Sequence, residues 1–264
     1  MPIINLTDKK LLDLKGFHLF HAGGSNCSAR ARLALEEKKL EWTGHEINLL
    51  TCEQLQEDYL QINPLGEVPA LIHEGKSIYG SEDILRYLEE KFPTPSLLPD
   101  KEEEIESMWE WVDYAANSHL ENIAAYLYSV GIGRPCSAKN FSIYQKINPK
   151  RAEFLKNKGY NMSSKVKNEV MKANHTILTQ IENELGKHRY LTCDTYTLSD
   201  IAWGMNALAL KNYGFSLSQY PNIMRWINDI ENRPSYNNKS KMPTFPLWLV
   251  KCIMFIKRKA TRTI

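Results

Sequence analysis

The stretch Ser25-Asn26-Cys27-Ser28 gathers two hydroxyls and a thiol within four positions. It stands between a strand-like run at 17–21 and a helix-like run at 28–39. A helix start leaves backbone N–H groups without partners and favours negative charge. A serine there can cap the helix or aim its proton at a bound thiolate. A cysteine there can lose its own proton toward neutral pH and act as a nucleophile. Each residue also has a purely structural reading: Ser25 or Ser28 as the cap, Cys27 as a small buried side chain.

Two more features point to the same kind of ligand. A proline inside the β-rich run "EVPALI" removes a ladder donor. A Val68-Pro69 bond at a strand start can be cis and leave the Val68 amide and carbonyl free to pair with a bound chain. The helix-like run "SEDILRYLEEKF" begins at Ser81, and a helix N-terminus with a hydroxyl is an anion site. One molecule with a thiol, peptide groups and carboxylates would engage all three. A free thiol has a pKa of about 8.5, and lowering it by roughly two units is worth about 2.7 kcal/mol. A hydrogen bond to a charged group contributes about 1.5–3 kcal/mol, so one aimed hydroxyl is sufficient to activate a bound thiol.

The elements that must position these residues alternate at first and then become helical. Residues 17–21 and 45–49 read as strands, 28–39 and 52–63 as helices, 68–79 as a hairpin around Gly75, and 81–92 as a helix. On the 28–39 helix, Ala31, Ala34 and Leu35 form the inner stripe, with Arg30 and Arg32 outside it. The run "PTPSLLPD", with three prolines in eight residues, reads as a linker. Beyond it, helices are expected over 101–130, 163–186 and 197–215 and after "YPN" at 220–222, with 131–162 left mixed. Thr197 and Asp200 form a capping box with Asp in place of Glu. The expected organisation is an extension at 1–16, an α/β domain at 17–93, a linker at 94–100, an all-α domain at 101–242 and a tail at 243–264.

Composition narrows the class. Of 264 residues, 43% are hydrophobic and 24% charged, ordinary for a globular protein. A net charge of +2 lacks the basic excess of a dedicated nucleic-acid binder. The five cysteines are odd in number, scattered and without metal-ligand spacing, which fits free thiols in a reducing compartment and no metal site. The charged N-terminus does not read as a signal peptide, so a cytoplasmic location is expected.

The segments "SNCSARARLALEEKKLEW", "INPLGEVPALI", "GSEDILRYLEE" and "TLSDIAW", in this order and spacing, resemble the signature segments of the cytosolic glutathione transferase superfamily. The resemblance covers about residues 17–235. It implies a thioredoxin-like α/β domain that binds glutathione, an all-α domain that holds a second substrate, usually a homodimer, and a role in detoxification. By the family pattern, Val68 before Pro69 pairs with the cysteinyl backbone of glutathione and Ser81 holds its γ-glutamyl carboxylate. Gln54, Glu67 and Glu82 fall among the same contacts. The resemblance leaves the activating residue open. Plant- and theta-like members place a Ser, and omega-like members a Cys, where Ser25 stands. Bacterial beta-class members place a Cys at Cys27, and beta-etherases a Ser at Ser28. The unit Ser-x-Cys-Ser also resembles the tetrachlorohydroquinone dehalogenases. Tyr114 and His119, on the first long helix, are expected at the second-substrate pocket, which is read as accepting a small apolar, aromatic electrophile.

Two positions depart from the family pattern. Gly80 replaces the acid that precedes the family's Ser, and Glu67 replaces a Lys or Gln. Both favour an alternative reading, a binding protein of the same fold with little or no catalysis. The tail lies outside the pattern. Its apolar stretch is too short to span a bilayer and ends in Lys257, Arg258, Lys259 and Arg262, so it reads either as a packed terminus or as an element at an anionic membrane surface.

Overall fold

The computed structural model describes residues 2–159 and 162–261. Its strands are β1 (Ile3–Asn5), β2 (Phe17–His21), β3 (Trp42–Glu46), β4 (Ala70–His73) and β5 (Lys76–Tyr79). They form one sheet in the order β1-β5-β4-β2-β3. β2 and β3 run parallel, while β4 is antiparallel to both β2 and β5. Strand periodicity explains the layering. Phe17 and Leu19 of β2 and Leu71 of β4 enter the main core, whereas Ala70 and Ile72 face a second cluster with Leu6 and Ile62.

The helices of this domain are α1 (Lys9–Leu12), α2 (Asn26–Glu37), α3 (Glu57–Leu60) and α4 (Ser81–Lys91). Several expectations shift here. The supposed extension contributes β1, which pairs antiparallel with β5 through Ile3 and Ile78 and forms the sheet's edge. β3 lies at 42–46 rather than 45–49. The expected helix over 52–63 is a 3-10 turn at Glu53–Leu55 followed by the single turn of α3, because Cys52 has φ 61° and Gln56 is extended. Arg30 and Arg32, expected on the outer face of α2, are fully buried.

The second domain holds α5 (Glu102–Asn117), α6 (Ala125–Ser129), α7 (Ala138–Ile147), α8 (Pro149–Lys158), α9 (Ser164–Leu185), α10 (Leu198–Asn212), α11 (Pro221–Glu231) and α12 (Leu247–Ala260). The long helix expected over 101–130 is α5 and α6 joined by a π-helical turn at Leu120–Ala124. α10 is buried along thirteen successive residues, Leu198 to Leu210, and is the axis of the domain. Its capping box is present, with the Thr197 amide donating to Asp200 Oδ2 at 2.8 Å. The same carboxylate accepts from Trp226 Nε1 at 2.8 Å, which ties α10 to α11. Glu182 of α9 accepts from the Asn222 and Ile223 amides at 2.9 Å each and closes the free N-terminus of α11.

The two domains are clamped by charge. Arg233 of the second domain grips Glu37 of the first with two bonds at 2.5 and 2.8 Å. Within the first domain, Lys38 meets Glu89 at 2.5 Å, and the pair holds the linker through the Pro95 carbonyl and the Leu97 amide. Buried pairs of this kind lose more when one partner is removed than they gain by forming, so they fix geometry.

Candidate functional site

A cavity of about 310 Å³ opens between the two domains, where the starts of α2 and α4 meet α5 and α8. Local sequence sets each start. Ser25 is the N-cap of α2, and its Oγ accepts from the Ser28 amide at 3.2 Å. Its own proton has no acceptor among the described residues, and the side chain lines the cavity. Cys27, one residue inside the helix, also lines it. Ser28 does not. It is wholly buried, and its Oγ accepts from the Ala22 amide at 3.2 Å, which fastens the strand end to the helix. Ser28 therefore supports the turn instead of facing a ligand.

The opposite wall carries Val68, whose peptide bond to Pro69 is cis. Neither the amide nor the carbonyl of Val68 has a hydrogen-bond partner among the described residues. The preceding Glu67 is held by its backbone, its carbonyl accepting from Tyr59 Oη at 2.6 Å and Asn63 Nδ2 at 2.7 Å. Its carboxylate lies 3.9 Å from Arg151 Nη1, which offsets the charge that the sequence placed beside an anionic ligand.

Ser81 opens α4 and is buried. Its Oγ accepts from Arg30 Nη1 at 3.0 Å. Arg30 crosses the domain boundary and donates also to the Ala202 and Ala115 carbonyls and to Asn206 Oδ1. No carboxylate pairs with Arg30 among the described residues, so a buried positive charge stands directly behind the Ser81 hydroxyl. Gly80 (φ 93°) explains itself sterically. A β-carbon there would lie 3.0 Å from Asp83 Oδ2 and 3.3 Å from Glu82 Oε1. Two carboxylates from the first turn of α4 thus lie beside position 80, where the family pattern has an acid. Burial first, and the Glu82 charge beside it next, push the Asp83 carboxyl up.

Three expected contacts change place or character. Gln54 is buried outside the cavity, and its Nε2 donates to Tyr144 Oη at 3.1 Å, so it supports a lining residue rather than a ligand. Tyr114 is exposed, packs on Trp111 and Trp203, and stands outside the cavity. Of α5, Ala116 and Asn117 reach the lining instead. His119 does line the cavity. Burial first, then Arg30, Arg151 and Arg134, push its pKa down to about 3, so it is neutral, and its Nδ1 has no hydrogen-bond partner among the described residues. Cys27 also differs from expectation. Burial pushes its thiol up and outweighs the lowering effect of Arg30, against the lowering that the sequence suggested.

Sequence reading missed the cations. Arg134, Lys150 and Arg151 line the helical-domain side of the cavity. Arg151 is nine-tenths buried, and its Nε has no hydrogen-bond partner among the described residues. Asn148 brings it there. It caps α8 by accepting from the Arg151 amide at 3.0 Å and donates to the Leu65 carbonyl at 3.2 Å, which seats α8 against the loop before Val68. The segment 131–162 gave no clear element pattern, so no signal in the sequence marked these residues.

Comparison with known proteins agrees with this architecture. Residues 19–96 match the glutathione S-transferase N-terminal domain model, and residues 142–234 match the C-terminal domain model. The glutathione S-transferase hmp2 of Hypomyces subiculosus is 26% identical over 218 residues, 81% of this chain and 93% of that protein. A zeta-class glutathione S-transferase of Euphorbia esula is 47% identical over 75 residues, only 28% of this chain and 33% of that one. In the crystal, the beta-etherase LigF of Sphingobium sp. strain SYK-6 shares the fold with a TM-score of 0.74 at 24% identity, over 85% of this chain and 98% of its own. With both domain models matched in order across the two halves of the fold, the chain belongs to the cytosolic glutathione transferase superfamily and is a glutathione transferase.

Proposed function

We propose that the cavity binds glutathione in an extended form and transfers its sulfur to a small electrophile that carries an acid group. One observation carries this reading. The unpaired Val68 peptide groups, the Arg30-backed Ser81 hydroxyl and the Ser25 hydroxyl all line a single cavity. Val68 would pair with the cysteinyl backbone. Ser81 and the α4 N-terminus would take the γ-glutamyl carboxylate, with the Arg30 charge behind them. Glu82 and Asp83 would receive the ammonium group. Ser25 would donate its free proton to the thiolate. The thiol proton leaves to solvent, the sulfur lone pair forms the new bond to the electrophilic carbon, and the leaving group departs with its electron pair.

The sequence pointed to an apolar, aromatic electrophile, and Leu65, Leu120 and Tyr144 in the lining suit such a body, but an acid group on it adds to the fit of this cavity. Its helical-domain wall is cationic, and the aromatic Tyr114 stands outside it. An acid group on the second substrate would meet the Nε of Arg151, with Arg134 and Lys150 beside it. A homodimer and a cytoplasmic, detoxifying role accompany the family reading.

Calorimetry tests the first half. Glutathione should bind, and Ser81→Ala should weaken it by about tenfold, the loss of one hydrogen bond to a charged group. No heat with the native chain would refute glutathione binding. Paired electrophiles test the second half. Arg151→Met should raise KM for a carboxylate-bearing electrophile and leave its methyl ester unchanged. Equal effects on both would remove the acid-group assignment.

A further inference from the structure

The C-terminal helix α12 has no buried residue along its 14 positions. The chain is anchored just before it, where Tyr236, Ser240 and Met242 are buried and Arg32 donates to the Ser240 carbonyl. Past Met242 the chain leaves the core. Helical spacing sorts α12 into two sides. Leu247, Val250 and Met254 are half-buried against the body, and a β-carbon at Gly214 would lie 3.1 Å from Leu247. Trp248, Cys252, Phe255 and Ile256, at i, i+4, i+7 and i+8, share the outward side. Trp248 is 68% exposed, Phe255 58% and Ile256 64%, and Phe245 just before the helix adds 60%.

Monomeric proteins rarely expose a contiguous patch of large side chains, so this one calls for a partner. Charge decides which. Lys251, Lys257, Arg258 and Lys259 lie on the helix, and residues 243–261 contain no Asp or Glu. The Lys259 ammonium lies over the Phe255 ring at 4.6 Å, an apolar body with a cationic tip. A second α12 would set four cations against four more. No helix among the described residues is long and apolar enough to cross a membrane. A surface with Trp and Phe outward, Lys at its flanks and no acid matches an anionic lipid interface, with the helix lying in its plane.

We propose that α12 docks the enzyme on the surface of an anionic bilayer, with Trp248, Phe255 and Ile256 entering the headgroup boundary and the basic residues meeting lipid phosphates. The full chain should co-sediment with vesicles of phosphatidylcholine mixed with phosphatidylserine. Binding to phosphatidylcholine alone should be at least about tenfold weaker, and rising salt should weaken the mixed-vesicle binding. The double variant Trp248→Ser, Phe255→Ser should lose vesicle binding while glutathione binding stays unchanged. The charge variant Lys251→Glu, Lys259→Glu should lose it separately, which covers the case of an aromatic variant that fails to fold. Equal binding to both vesicle types, no binding, or variants that bind like the native chain would overturn the proposal. A dimer that dissociates in the serine variant, with no vesicle binding by the native chain, would assign the face to a second copy instead and would equally overturn it.

Discussion

Replacing Ser25 by alanine should have two separable effects, because the structure gives its hydroxyl two roles. As an acceptor, Oγ caps α2 through the Ser28 amide at 3.2 Å. Loss of such a cap costs about 1 kcal/mol of stability. As a donor, the hydroxyl has no acceptor among the described residues, and Ser25 lines the cavity. One donor to a developing thiolate is worth about 1.4–4 kcal/mol, or roughly ten- to a thousand-fold in rate. The same donor should depress the pKa of bound glutathione by about one to two units, which ultraviolet thiolate absorbance can follow against pH. Two further variants separate the roles. Ser25→Thr keeps acceptor and donor, and should retain most of both stability and rate. Ser25→Asp keeps the acceptor but places a negative charge beside the thiolate. It should restore stability in urea unfolding while leaving conjugation as slow as Ser25→Ala, or slower. If Ser25→Ala slows conjugation by less than about threefold, or if Ser25→Asp recovers the rate together with the stability, Ser25 is only a cap and the donor assignment is wrong.

Cys27→Ser should spare conjugation and remove any glutathione-sized adduct formed with oxidised glutathione. Because burial pushes the Cys27 thiol up, the native adduct should form slowly at neutral pH and faster as pH rises; mass spectrometry that finds the adduct on Cys52 or Cys252 instead would remove Cys27 from the chemistry. His119 sets an acid limb of stability. Its pKa falls from 6.5 to about 3 on folding, so between those values the unfolded chain binds more protons and stability drops as pH falls. From pH 7 to pH 5 that amounts to about 2 kcal/mol, which urea unfolding of His119→Gln should no longer show; an unchanged pH slope would mean that the ring is protonated in the folded chain. His21, lowered to about 4, should leave a residual slope in that variant.

The parts of the site that were legible in the sequence are those whose signal is local. Ser25 as an N-cap, the Val68-Pro69 pair, the start of α4 at Ser81 and the capping box of Thr197 with Asp200 each depend on a few consecutive residues, because caps and turns are satisfied by neighbours. The two-domain order was legible for the same reason, since hydrophobic period changes near the linker. Boundaries failed where one backbone angle intervened, as at Cys52, or where pairing was distant, as for β1 on β5. Only the tertiary structure decided what the local signals serve. It buried Ser28 and Gln54, left Tyr114 outside the cavity, and brought Glu82 and Asp83 beside Gly80. It drew Arg30 from α2 to Ser81, fifty-one residues on, and Arg151 from α8 to the loop before Val68. An arginine on a helix reads as a solvated charge in sequence because charged side chains are costly to bury. Arg30 is buried because carbonyls of two other helices and the side chain of Asn206 converge on it, and no window of consecutive residues contains that convergence.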